Sequence, residues 1–198
     1  MPEKLEKKRR VLELGFALGL ALTVLLTALA AHRRRVADRV CADTVRLHIL
    51  ANSDTLEDQL LKLQVRDAIL QALPETVLQA DDTAEAEAAL RQALPALHLA
   101  AQRALYKAHS PQTARLRLEQ LDFAARDYGS FTLPGGRYTA LRVELGEGEG
   151  HNWFCVLYPA LCVSGAQAAY PTREENALVF GRYEVRLAVV DAVKNFMK

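Results

Sequence analysis

Eighteen consecutive residues without a single charge, positions 14–31, constrain this chain more than any other feature. Leu, Ala, Val and Gly supply most of them. At about 1.5 Å per residue a helix of that length spans roughly 27 Å, close to one bilayer core. A water-soluble helix this long would show a polar face, and this stretch has none. Lys7-Lys8-Arg9-Arg10, just before it, is the basic flank of a secretory signal or a membrane anchor. The segment is expected to meet a membrane.

Its fate is open on two readings. Ala28-Leu29-Ala30 offers an A-x-A cleavage site, whereas the length of the run and Arg33-Arg34-Arg35 behind it favour a retained anchor. Cations on both flanks blunt the orientation rule. The expected arrangement is N-terminus inside and body outside, because the body offers a disulfide. Residues 1–13 are then a basic cytoplasmic flank, 14–31 the transmembrane or signal segment, 32–43 a polar juxtamembrane linker and 44–198 one extracytoplasmic domain.

Charge narrows the function classes. From His32 onward the chain carries 20 basic and 21 acidic residues, so the body has no cationic surplus with which to hold nucleic acid. Three cysteines are too few for a disulfide framework but allow one bridge with one thiol left over.

Patterning in the body predicts an α+β fold: the membrane or signal helix, then one domain in the order strand, helix, helix, strands with a hairpin, helix. Val45, Leu47 and Ile49 alternate with Arg46 and His48, as in a half-buried strand. Asp54 with Glu57 resembles a capping box opening a helix. Leu56, Leu60, Leu63 and Leu70, with Leu61, Val65 and Ile69, give it an apolar stripe, and Pro74 ends it. A second helix is expected from about Asp82 toward His109, with Pro95 as a kink or break. Strands are expected over 114–121 and 137–145, and Gly146 to Gly150 reads as a loop. Residues 164–176 read as an exposed loop. Residues 178–197 fit a strand or a helix, with helix favoured.

The densest stretch of chemistry-bearing residues runs from His151 to Cys162. It lacks the second ligand pair of a metal site. His151 and Cys155 stand about 13 Å apart along a strand, too far for a base and its thiol. A hairpin with Tyr158-Pro159 at its tip would set Cys155 opposite Cys162, and the bridge would add roughly 2.5 kcal/mol by the chain-entropy estimate. Two buried reduced cysteines in a core strand is the alternative. Trp153 and Tyr158 are then either core or an exposed recognition tip. Asn52-Ser53-Asp54 with Arg66-Asp67 is the second cluster, read chiefly as helix capping and a solvated face. No residue set points to catalysis, a metal or a cofactor.

Two stretches resemble a known family. Val45 to Asp54, continuing through Asp58-Gln59, Leu61-Lys62 and Val65-Arg66-Asp67-Ala68, resembles the opening signature of stage II sporulation protein R. So does Gly135-Gly136-Arg137-Tyr138 leading to Leu145-Gly146-Glu147-Gly148 and Asn152 to Cys162. Phe154 stands where a second Trp is common, and Ala160 where a second Pro is common.

The resemblance implies a signalling protein of endospore formation, not an enzyme and without a cofactor or small-molecule substrate. It would be exported across the forespore membrane into the intermembrane space. Its partner there would be a membrane-embedded aspartic protease that processes pro-sigma-E in the mother cell. The candidates for partner binding are Asn52, Ser53, Asp54, Arg66, Asp67, Asn152, Trp153, Tyr158 and Pro159. A membrane-anchored envelope hydrolase using Asp54 and Asp67, or a structural protein of the septal envelope, is the competing expectation.

Overall fold

A computed structural model describes residues 2–161 and 169–181. The long helix α1 (Pro2–Ala42) is followed by β1 (Val45–Leu50), α2 (Leu56–Gln71), the single turn α3 (Glu75–Leu78) and α4 (Thr83–Lys107). Then come β2 (Ala114–Phe123), the two-residue strands β3 (Arg126–Asp127) and β4 (Thr132–Leu133), β5 (Gly136–Leu145), β6 (Asn152–Tyr158) and α5 (Arg173–Phe180). The fold is α+β, a long apolar helix leading into a mixed sheet with helices.

The main sheet has the order β2-β5-β1-β6, with β1 parallel to β5 and the other two pairings antiparallel. On one face, Val45, Leu47 and Ile49 meet Leu61, Val65 and Ile69 of α2 and Leu90, Leu97 and Leu105 of α4. Helix α4 begins at Asp82, whose carboxylate accepts the Glu85 N–H, and runs through Pro95 to Lys107. Its length and packing carry it past the one hydrogen bond that proline removes.

Three expectations change here. The stretch 32–43, read as a linker from its charges, is helical to Ala42 and docks on the body. Val36 and Val40 stand one turn apart and are both buried, so a single apolar stripe under the cations holds the last turns of α1 in place. Strand β1 is buried on both faces, because α1, the β3–β4 pair and α5 cover the side that carries Arg46. On α2, Leu56 and Leu60 face solvent while Leu61, Val65 and Ile69 form the buried stripe. The leucines one position out of phase had extended that stripe too far.

Candidate functional site

Because β1 and β5 run parallel, their C-terminal ends lie together, and antiparallel β6 starts beside them. The loops 51–55 and 146–151 therefore meet at the end of the sheet away from the junction of α1 and β1. The Glu149 N–H donates to the Asn52 carbonyl at 3.2 Å, and the Gly150 N–H to the Ala51 carbonyl at 2.9 Å. The Glu147 N–H donates to Asn52 Oδ1 at 3.0 Å. A Cβ at Gly146 would collide with the Asn52 side chain, and one at Gly150 with the Ser53 carbonyl. The alternating glycines thus serve close approach of two loops.

Beneath these loops sits Asp58, buried in the first turn of α2. It accepts from Ser53 Oγ at 2.6 Å, Asn52 Nδ2 at 2.9 Å and Gln112 Nε2 at 2.5 Å. These bonds, Ser53's first, outweigh burial and hold its carboxyl below the usual carboxylate range. One turn on, Lys62 is also buried and donates to Gln59 Oε1 at 2.6 Å and the His151 carbonyl at 2.8 Å. Burial pushes its ammonium down. One carboxylate and one ammonium from α2 thus fix the loops that follow β1, α4 and β5. Both lie within the family-like stretch, yet their charge on an amphipathic helix reads as a solvated face, and only the three-dimensional fold reveals the burial.

The exposed candidates decorate this frame. Asp54 does not cap α2; Thr55 does, its hydroxyl accepting the Asp58 N–H at 3.3 Å. Asp54 Oδ1 instead accepts from the His151 backbone at 2.6 Å and lies 2.5 Å from His151 Nδ1. Those bonds hold its carboxyl low. Asn152 Oδ1 lies 2.9 Å from His48 Nε2. Trp153 is half-buried against the core with the Arg66 guanidinium 5.1 Å from its ring centre, and Arg66 also pairs with Asp67 at 2.7 Å. The structure therefore gathers Asn52, Ser53, Asp54 and Asn152 at one end, with Trp153 and Arg66 next to them.

Tyr158 and Pro159 stand apart, at the far end of β6. Among the described residues β6 pairs with β1 and no return strand of the expected hairpin is formed, Ala160 and Leu161 not being strand; the Tyr158–Pro159 peptide is cis and Pro159 is buried. A tip shared by Trp153 and Tyr158 is replaced by one strand that separates them by roughly 17 Å. Cys155 is buried on β6, and Cys162 lies outside the described residues, as does 182–198. The expected loop 164–176 gives way to α5 at Arg173, opened by the capping box of Thr172 and Glu175, with Tyr170 buried.

The second face of the sheet holds a group that sequence reasoning missed. Arg46, fully buried, lies 4.1 Å from the centre of the Phe123 ring, 4.9 Å from Tyr138 and 5.8 Å from Phe154. Its Nη2 donates to the Tyr128 hydroxyl at 2.8 Å, while Nε and Nη1 have no hydrogen-bond partner among the described residues. Ring faces take the place of a counter-ion here, and they come from three separate strands, β2, β5 and β6, which no local pattern exposes.

The Ser53 hydroxyl is committed to Asp58, away from His151. Asp67 stands roughly 16 Å along α2 from its first residue, too far from Asp54 for a pair of carboxylates acting across one bond. Among the described residues, no three His, Cys, Asp or Glu side chains group for a metal.

A family model described as Stage II sporulation protein R matches residues 41–168, which takes in both loops, Asp58, Lys62 and Arg46. Stage II sporulation protein R of Bacillus subtilis (strain 168) is 36% identical over 118 residues, covering 60% of this chain and 53% of its own length. The chain thus spans about half the length of the curated relative it matches. No solved structure matches. With well over half of its residues inside that match, the chain belongs to the stage II sporulation protein R family and has a role in sporulation.

Proposed function

We propose that the chain is an exported signal that activates a membrane-embedded aspartic protease and so triggers processing of pro-sigma-E in the mother cell. Family membership supports the sporulation role, and the two-loop frame supports the mode of action. That frame is the observation that carries the reading: two buried charges, Asp58 and Lys62, hold a rigid polar surface on the end of the sheet remote from the apolar helix. Helix α1 is long and apolar enough to cross a membrane and continues without a break into the body. Export into the intermembrane space and a Cys155–Cys162 bridge belong to the same reading, since a disulfide persists only in an oxidising compartment.

Contact alone does not activate a partner. The surface has to bind the protease's active arrangement better than its resting one. Moving that equilibrium from 1:99 to 99:1 takes about 5.5 kcal/mol of differential affinity. An aromatic anchor such as Trp153 beside Arg66, at the same end of the sheet as Asn52 and Asp54, is the type of surface that concentrates binding energy. Tyr158 and Pro159, buried or half-buried at the other end of β6, drop to second rank.

The test is cleavage of pro-sigma-E in cells that co-produce the protease and its substrate, with this chain exported, retained in the cytoplasm or omitted. Cleavage only upon export supports the reading. Cleavage without the chain, or none with the folded chain outside, overturns it.

A further inference from the structure

Strand β2 is an edge of the sheet, and among the described residues it pairs only with β5. The pairing runs from Ala114 to Phe123 without a register shift, and the strand contains neither proline nor glycine. Such an edge presents a row of unpaired backbone groups, which proteins ordinarily blunt with bulges, prolines, short strands or a covering element. Among the described residues the helix layer covers it only in part, Gln102 of α4 donating to the Ala114 carbonyl at 3.5 Å. A notch of about 480 Å³ opens between Leu94, Pro95 and His98 of α4 and the first half of β2, leaving Leu116 and Leu118 only partly buried.

The charges on this edge follow a pattern. Arg115 is engaged within its own chain, with Nε 3.4 Å from Glu144 and Nη2 donating to the Gly146 carbonyl at 2.9 Å. Arg117 is exposed and faces Arg142 directly across the β2–β5 ladder, a like-charge pairing. Glu119 lies two residues further, on the same face of the strand as Arg117, with its Oε1 3.5 Å from Arg142 Nη1, and Arg142 also pairs with Glu144 at 2.6 Å.

We infer that β2 is where two copies of this chain join, edge to edge and antiparallel, into one continuous sheet. With Leu118 on the two-fold axis, Arg117 faces the partner's Glu119 and Glu119 faces the partner's Arg117. Leu118 meets its own counterpart between them. Centring the axis on Arg117 or on Glu119 instead sets like charges face to face. The strand is thus self-complementary in one register and repels itself in the neighbouring ones, which is how an edge selects its partner. Arg117, a deterrent to an arbitrary strand, gains a carboxylate from the matching copy.

The measurement is the mass of the full chain in detergent micelles by sedimentation equilibrium, which needs no protease and so stands apart from the functional reading above. A dimer is expected. Arg117→Glu and Glu119→Arg should each weaken it about tenfold or more, and the double reversal R117E/E119R should restore it, since it swaps both signs in the same register. Circular dichroism checks that each variant is folded. Independently, Leu118→Cys should give a covalent dimer under mild oxidation, whereas Leu116→Cys, facing the partner's Gln120, should not. A monomeric wild-type chain, a dimer indifferent to the single reversals as one held by α1 would be, or cross-linking equal at 116 and 118 would overturn the proposal.

Discussion

Arg39 Nε lies 2.8 Å from Oε1 of Glu175, a carboxylate wholly removed from solvent. The same guanidinium reaches Glu174 at 2.8 Å through Nη2. This joins the last turns of the apolar helix to α5, whose N-terminus Glu175 also caps. The helix is therefore part of the body's packing as well as a route to the membrane.

Arg39→Ala should destabilise the body, because it strands a buried carboxylate without its cation. Arg39→Ala combined with Glu175→Gln should recover part of the loss. Chemical denaturation of the detergent-solubilised chain, followed by tyrosine and tryptophan fluorescence, checks both.

Asp58→Ala leaves the Ser53, Asn52 and Gln112 donors without an acceptor and should cost about 2–3 kcal/mol. The wild-type carboxyl is held below its unfolded value near 3.9, so its contribution is present above about pH 4 and fades as pH falls further. Acid titration of stability should show less fall below pH 4 in Asp58→Asn than in wild type.

His48 gives the opposite end of the weakly acidic range. Burial, helped by Arg142 and Arg46, lowers its imidazole against the raising effect of Asn152. The unfolded state then binds the proton first, so stability should decline as pH drops through about 6.5. His48→Gln should flatten the thermal midpoint between pH 7 and pH 5.5, where wild type falls.

Trp153→Ala should lower stability by about 2 kcal/mol, given its partial packing on the core, and abolish pro-sigma-E cleavage in the folded fraction. Trp153→Phe separates the effects by keeping most of the packing. Normal cleavage by folded Trp153→Ala would remove this anchor from the proposed surface.

Gly150→Ala should separate the two loops, since its Cβ has no room beside the Ser53 carbonyl. Loss of signalling with most of the stability retained would mark the loop pair as the working surface, whereas unimpaired signalling would argue against it.

Local chemistry determined much of this protein. Eighteen uncharged residues dictated a membrane-length helix, alternation dictated β1, β2 and β5, Asp82 and Pro74 bounded α4 and α2, and glycines at 146, 148 and 150 dictated a loop. These are legible because period, capping and backbone freedom act over a few residues. The tertiary structure decided what depends on distant partners. Only the parallel pairing of β1 with β5 brings Asn52 to Glu147 and Asp54 to His151, across more than ninety residues of chain. Only packing shows that Asp58, Lys62 and Arg46 are buried, that charged residues 32–42 continue a helix, and that Trp153 and Tyr158 lie at opposite ends of one strand. Burial of a charge is settled by what surrounds it in space, and nothing in the residue or its neighbours in sequence records that.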